Sequence, residues 1–155
     1  MLMSSKPGYR ALRRGRASCP AMAYLITTIT RDRQPVFSHF AAGCAAARCF
    51  ETPMLLRDSR MLAWVLMPDH VHWLVQLGEA DSLAALINRL KSSSSRLAGK
   101  NVGRAKGIWQ AGFHDHGLRA EEDLLGVARY IVSNPLRAGL VRRVGDYPFW
   151  NAVWL

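Results

Sequence analysis

A chain of 155 residues, half of them hydrophobic, holds one domain with a sizeable core and is too short for two comfortable ones. Its 21 Lys and Arg against 11 Asp and Glu give a formal charge of +10 and a pI near 10.4, which points to an acidic partner, most commonly nucleic acid, ahead of membrane surfaces and acidic proteins. Composition disfavours two further classes: no run approaches the roughly 20 apolar residues that cross a bilayer, and Cys19, Cys44 and Cys49 lack the spacing of a disulfide framework or a cysteine metal site, which suits a reducing cytoplasm.

The first sixteen residues carry Lys6, Arg10, Arg13, Arg14 and Arg16 and no acid, so residues 1–20 read as a basic arm able to track a phosphate backbone, or as a solubilising tail. Residues 21–145 form the expected domain and 146–155 a C-terminal tail. The β-branched stretch Ala23 to Thr30 is the expected first strand, with an exit loop through Pro35. Alanine-rich sequence from His39 to about Leu56 has helix propensity, weakened at Gly43 and Pro53. Met61 to Met67 and Val71 to Leu77 read as two buried strands of an antiparallel pair, joined through Pro68, Asp69 and His70.

After Gly78, Asp81 or Ser82 can cap a helix whose apolar positions Leu83, Leu86, Ile87, Leu90 and Leu97 recur at 3.6-residue spacing. Arg89, Lys91 and Arg96 on this helix are candidate DNA contacts, and Ser92 to Ser95 are either phosphate donors or solvated surface. A loop over residues 99–107 precedes two short extended pieces, Ile108 to Gln110 and Phe113 to Leu118. Glu121 to Asp123 open a last strong helix, which Pro135 stops at or just before Asn134. Residues Ala138 to Val141 offer one more short apolar piece. This order of elements predicts an α+β sandwich, helices laid on an antiparallel sheet.

His70 and His72 open a strand two residues apart, so their imidazoles share a face and can reach one metal ion. A His-x-His pair alone also fits two hydrogen-bonded polar residues, but this one lies between apolar strands, where imidazoles need partners. Tyr130 and Asn134 stand one helical turn apart. If that face meets the histidines, the Asn134 carbonyl oxygen can complete a His-His-Asn site with open positions, while Tyr130 becomes a nucleophile near it. A phenol with a pKa of about 10 needs an activated electrophile, which a divalent ion on a phosphodiester supplies. Gly126, costly in a helix, reads as room for a DNA backbone beside Tyr130. His114 and His116 form a second pair, with His116 a candidate DNA contact, and Trp109 is either a base-stacking platform or core.

Three stretches together are similar to a known family, the HUH single-tyrosine transposases of small bacterial insertion sequences, and most of all to the REP-associated branch. They are WVLMPDHVH at 64–72, Trp109-Gln110 with FHDH at 113–116, and ARYIVSNPLRAGLV at 128–141. With the first strand they cover most of the chain. The resemblance implies a ferredoxin-like core, His70, His72 and Asn134 as ligands of Mg²⁺ or Mn²⁺, and Tyr130 attacking single-stranded DNA to leave a 5′-phosphotyrosine and a free 3′-hydroxyl. It further implies palindromic REP-type hairpins as partners, contacted in part by the segment around Gly8 to Arg14, a monomer or homodimer, and a place at the bacterial nucleoid. Asn134 stands where insertion-sequence enzymes commonly have glutamine, as in the REP-associated branch. Three other readings remain open: a non-catalytic nucleic-acid-binding module, an HUH nickase for replication or plasmid transfer, and a structural zinc site using His70, His72, His114 and His116.

Overall fold

The two apolar runs in the middle of the chain fold into a hairpin, β2 (Arg60–Leu66) and β3 (His70–Gln76), in a computed structural model that describes residues 22–104, 107–119 and 123–154. The basic arm lies outside the described residues. The Met67 amide donates to the His70 carbonyl at 2.8 Å, closing a tight turn through Pro68 and Asp69 that makes His70 the first residue of β3. Thr30, at the exit of β1 (Ala23–Ile29), pins this turn: its amide and its hydroxyl both donate to the Asp69 carbonyl, at 2.9 and 3.0 Å.

With β4 (His114–Leu118) and β5 (Trp150–Ala152), these strands form one five-stranded sheet in the order β4-β1-β3-β2-β5, every pairing antiparallel. The first four follow the ferredoxin-like order that the family resemblance implies. The register pairs Thr27 with both His72 and His114, and Leu25 with both Leu74 and His116. Directly opposed residues point to the same face, so His70, His72, His114 and His116 all lie on one side of the sheet.

The other side packs against two helices, α1 (Phe40–Ala47) and α3 (Leu83–Val102). Tyr24, Ile26, Trp64, Val71 and Trp73 of the sheet meet Phe50, Leu83, Leu86, Ile87 and Leu90 there in the larger core. Of the two candidate caps for α3, Ser82 does the work, accepting from the Ala85 amide at 3.1 Å. Gly103 ends the helix with φ of +67°, a left-handed conformation that disfavours any residue with a Cβ. The helix expected over 39–56 is two pieces. α1 stops at Ala47, Phe50 turns into the core, and Pro53 starts the single turn α2 (Pro53–Leu56), where its missing N–H costs nothing.

The histidine side is covered by α4 (Leu124–Val132), whose Ala128, Ile131 and Val132 pack on Ala23, Ala63, Val65, Leu74 and Leu118. After Ser133 the backbone makes one more short helix, α5 (Asn134–Arg137), with Pro135 in its first turn. The long helix thus stops just before Asn134, as expected, and a separate short one follows. Ala138 to Leu140 form an exposed turn, and Val141 is half-buried.

Residues 146–155, expected as a tail, instead supply an edge strand. β5 pairs Ala152 with Ala63 and Trp150 with Val65, and Phe149 is buried. A side chain at Gly43 would come within 2.5 Å of the Phe149 ring, so that glycine lets the C-terminal segment close on α1. A three-residue strand is too short to announce itself by periodicity.

Candidate metal and tyrosine site

The two histidines of β3 face each other at a ring-centroid distance of 5.0 Å and an interplanar angle of 81°. Each has an oxygen partner on Nδ1. For His70 it is Asp69 Oδ1 at 2.7 Å, and for His72 it is Thr27 Oγ1 at 2.8 Å, on the neighbouring strand. With Nδ1–H donating to those oxygens, the lone pair of each ring lies on Nε2, the nitrogen left to bind an ion. An oxygen behind each imidazole is the usual support of a metal-ligating histidine, because it sets the tautomer and the ring orientation.

Burial above all, then the charges of His70 and Arg137, lowers the His72 pKa from 6.5 to about 4. His72 is therefore neutral at pH 7, the form that ligates. Asp69 is held below its ordinary value: burial raises it, but the hydrogen bond and charge of His70 and the nearby Arg33 outweigh burial. The carboxylate stays ionised behind His70.

The same face carries the end of α4. Its buried positions are Ala128, Ile131 and Val132, which turns Tyr130 outward, 62% exposed. Arg137 gathers the rest of this corner: it donates to the Tyr130 carbonyl at 2.8 Å, to Ser133 Oγ and to Asn134 Oδ1, and its guanidinium carbon sits 3.9 Å from the Tyr130 ring centroid. Its charge is felt at His72, which brings the α4 end and the histidine pair into one electrostatic neighbourhood. Two imidazole nitrogens and one amide oxygen suit a divalent ion that keeps open positions for water or phosphate.

Gly126 has a different reason from the one expected. A Cβ there would lie 2.4 Å from Asp123 Oδ2, and Asp123 caps α4 by accepting from the Gly126 amide at 2.9 Å. The glycine makes room for the cap.

Several candidate DNA contacts are structural. Arg89 points back, donating to the Leu55 carbonyl at 3.0 and 2.9 Å and pairing with Asp81, whose side chain is 4% exposed. Lys91 Nζ donates to the carbonyls of Gln110 and Gly112, both at 2.8 Å, and so holds the loop before β4. Trp109 is buried, its indole N–H donating to Ser94 Oγ at 2.9 Å, so it is core and cannot stack on a base. The serine run acts on the same segment, since Ser95 Oγ accepts from the Ile108 amide at 3.1 Å. Arg96 and His116 are exposed, as contacts to DNA require. Arg10, Arg13, Arg14 and Arg16 lie outside the described residues.

His114 and His116 sit on β4, two strands from β3, with β1 between them. That separation is roughly 9.5 Å by ordinary strand spacing. Among the described residues no three of His, Cys, Asp and Glu converge on a point that could hold a metal, so the four-histidine zinc site has no geometric support. Three site residues escaped the sequence reading. Asp69 was legible as the neighbour of His70, Thr27 only through the β1–β3 register, and Arg137 only as one letter of the last motif. Beside Thr27 a cavity of about 220 Å³ opens between β1 and the segment before β4, lined by Thr28, Ile29, Gln110, Phe113 and His114.

An α+β sheet with a histidine pair on the face covered by a tyrosine-bearing helix is the class of architecture these elements define. The family model described as transposase IS200-like matches residues 18–134, and the chain belongs to that family. The REP-associated tyrosine transposase of Escherichia coli (strain K12) is 33% identical over 94 residues, 60% of this chain and 54% of that protein. A Haemophilus influenzae protein provisionally given the same name is 38% identical over 98 residues, 57% of this chain and 56% of its own length. The matched region thus spans about half the length of these curated relatives. The solved structure of a REP-associated tyrosine transposase bound to a REP hairpin superposes with a TM-score of 0.66 at 26% identity, covering 87% of this chain and 79% of that one. These likenesses bear out the resemblance and the ferredoxin-like fold.

Proposed function

We propose that this chain is a metal-dependent single-strand DNA endonuclease and strand transferase that cleaves and rejoins REP-type hairpins through a 5′-phosphotyrosine on Tyr130. The observation that carries the reading is the pairing of two half-buried histidines, each supported on Nδ1, with an exposed tyrosine at the end of the helix over their face. Family membership and the hairpin-bound relative give that pairing its substrate class.

His70, His72 and Asn134 would hold Mg²⁺ or Mn²⁺, which when bound withdraws charge from the non-bridging oxygens of a phosphodiester. Asp69 and Thr27 keep the imidazoles oriented for that task. Tyr130 Oη attacks phosphorus as the bond to the 3′ oxygen breaks; the phenolic proton passes to water, and the departing oxygen takes a proton to become a 3′-hydroxyl. Reversal by another 3′-hydroxyl rejoins the strand. The cavity of about 220 Å³ beside Thr27 is smaller than the roughly 300–1,000 Å³ of drug-sized pockets, and offers room for a single unpaired base. Free Cys44 and Cys49 suit the bacterial cytoplasm, where nucleoid DNA is the target.

Incubating the protein with labelled single-stranded hairpins from the flanks of its own gene, with Mn²⁺ or Mg²⁺, should yield a denaturation-resistant protein–DNA adduct. Tyr130→Phe should abolish the adduct and retain hairpin binding. Hairpin binding without any adduct in the wild type would favour a non-catalytic binding module, and cleavage by Tyr130→Phe would remove Tyr130 as the nucleophile.

A further inference from the structure

Arg137 ties the α4–α5 junction together through its side chain, yet the chemistry above leaves it without a task. Its Nη1 serves the Tyr130 carbonyl and Ser133 Oγ, its Nη2 serves Asn134 Oδ1, and the flat guanidinium lies over the Tyr130 ring at 3.9 Å. A surface arginine on a short helix normally samples many rotamers, because ordering such a long side chain costs entropy. Three acceptors offset that cost, since the five N–H groups of a guanidinium form a rigid fork.

The contacts join two residues with different duties. Tyr130 is exposed and has no core packing to hold its ring, while a side-chain amide such as that of Asn134 can turn either its oxygen or its nitrogen to a partner. We infer that Arg137 is a positioning residue, one that holds the Tyr130 ring and the oxygen of Asn134 in fixed relation so that nucleophile and third ligand act as one unit. A carbonyl oxygen has two lone pairs, so accepting from Arg137 leaves Asn134 Oδ1 able to serve an ion as well. The cation–ring contact biases the phenol toward one rotamer. A lysine keeps the charge and loses the fork, since a compact ammonium on a flexible stem does not hold three separate acceptors in fixed directions.

This inference rests on the proposed single-tyrosine chemistry, so wild-type adduct formation is measured first: without it the parent reading fails, and only with it is Arg137 on trial. Arg137→Ala and Arg137→Lys are then compared with wild type for melting temperature, hairpin Kd, single-turnover cleavage rate at saturating hairpin, and the ¹⁹F signal of 3-fluorotyrosine placed at position 130. Both variants should cleave roughly ten- to a hundredfold more slowly, the loss typical of misplaced reacting groups, with Kd within about twofold of wild type. The ¹⁹F signal should move toward that of a free side chain in both, and this readout stays available should either variant prove inactive. Three results would each overturn the assignment: a wild-type rate in Arg137→Lys, a lowered melting temperature with unchanged rate and ¹⁹F signal, or a weakened Kd with unchanged saturated rate, which would make Arg137 a phosphate contact.

Discussion

Burial is the first reason His72 gives up its proton so readily, and the charges of His70 and Arg137 add to it, bringing its pKa to about 4 against 6.5 for a free imidazole. Between those values the unfolded chain binds a proton that the folded protein does not. The contribution to stability is thus complete above about pH 6.5 and is lost as the pH falls toward 4. Urea unfolding of the metal-free protein at steps from pH 7.5 to pH 4 should show wild type losing more stability than His72→Gln across this window. Equal losses would mean that His72 titrates normally in the fold. At this scale His70, His72, Tyr130 and Asn134 were legible as candidates from spacing and motif. Their supports were less so, because Thr27 meets His72 across 45 positions of chain.

The element that misled most is α3. Its apolar stripe, cap and extent follow from a 3.6-residue period, and Leu83, Leu86, Ile87 and Leu90 are all buried. Its polar residues were expected to face DNA, and the tertiary structure turned several of them inward. Arg89 satisfies the Leu55 carbonyl of α2, 34 residues earlier, and the carboxylate of Asp81, while Ser94 and Lys91 fix the segment that carries Trp109 to Gly112. Arg89→Ala leaves the Asp81 carboxylate buried without its closest partner, and should cost about 3 kcal/mol in denaturant unfolding. The folded variant should bind hairpins within about twofold of wild type. Unaltered stability with a large loss of affinity would return Arg89 to the DNA-binding surface.

At the scale of the whole molecule, a charge of +10 on 155 residues acts on any nucleic acid before specific contacts form. The logarithm of hairpin affinity should therefore fall linearly with the logarithm of salt concentration, with a slope of roughly 0.7–0.9 per phosphate contacted. Fluorescence anisotropy across a salt series measures it, and a flat response would argue against phosphate recognition. No helix among the described residues is long and apolar enough to cross a membrane, in keeping with the absence of long apolar runs.

By itself the sequence determined the first four sheet-forming segments, the helix periods, the His-x-His pair on one face and the one-turn spacing of Tyr130 and Asn134. These are local properties, set by alternation, propensity and proline, and they survive whatever surrounds them. Tertiary structure decided that Thr27 and Asp69 orient the imidazoles, that Trp109 and Arg89 are internal, that residues after Tyr147 close the sheet, and that Arg137 gathers Tyr130 and Asn134. Each of those outcomes depends on which distant group satisfies a buried or half-buried polar atom. That pairing is settled by strand register and helix packing, and no spacing along the chain encodes it.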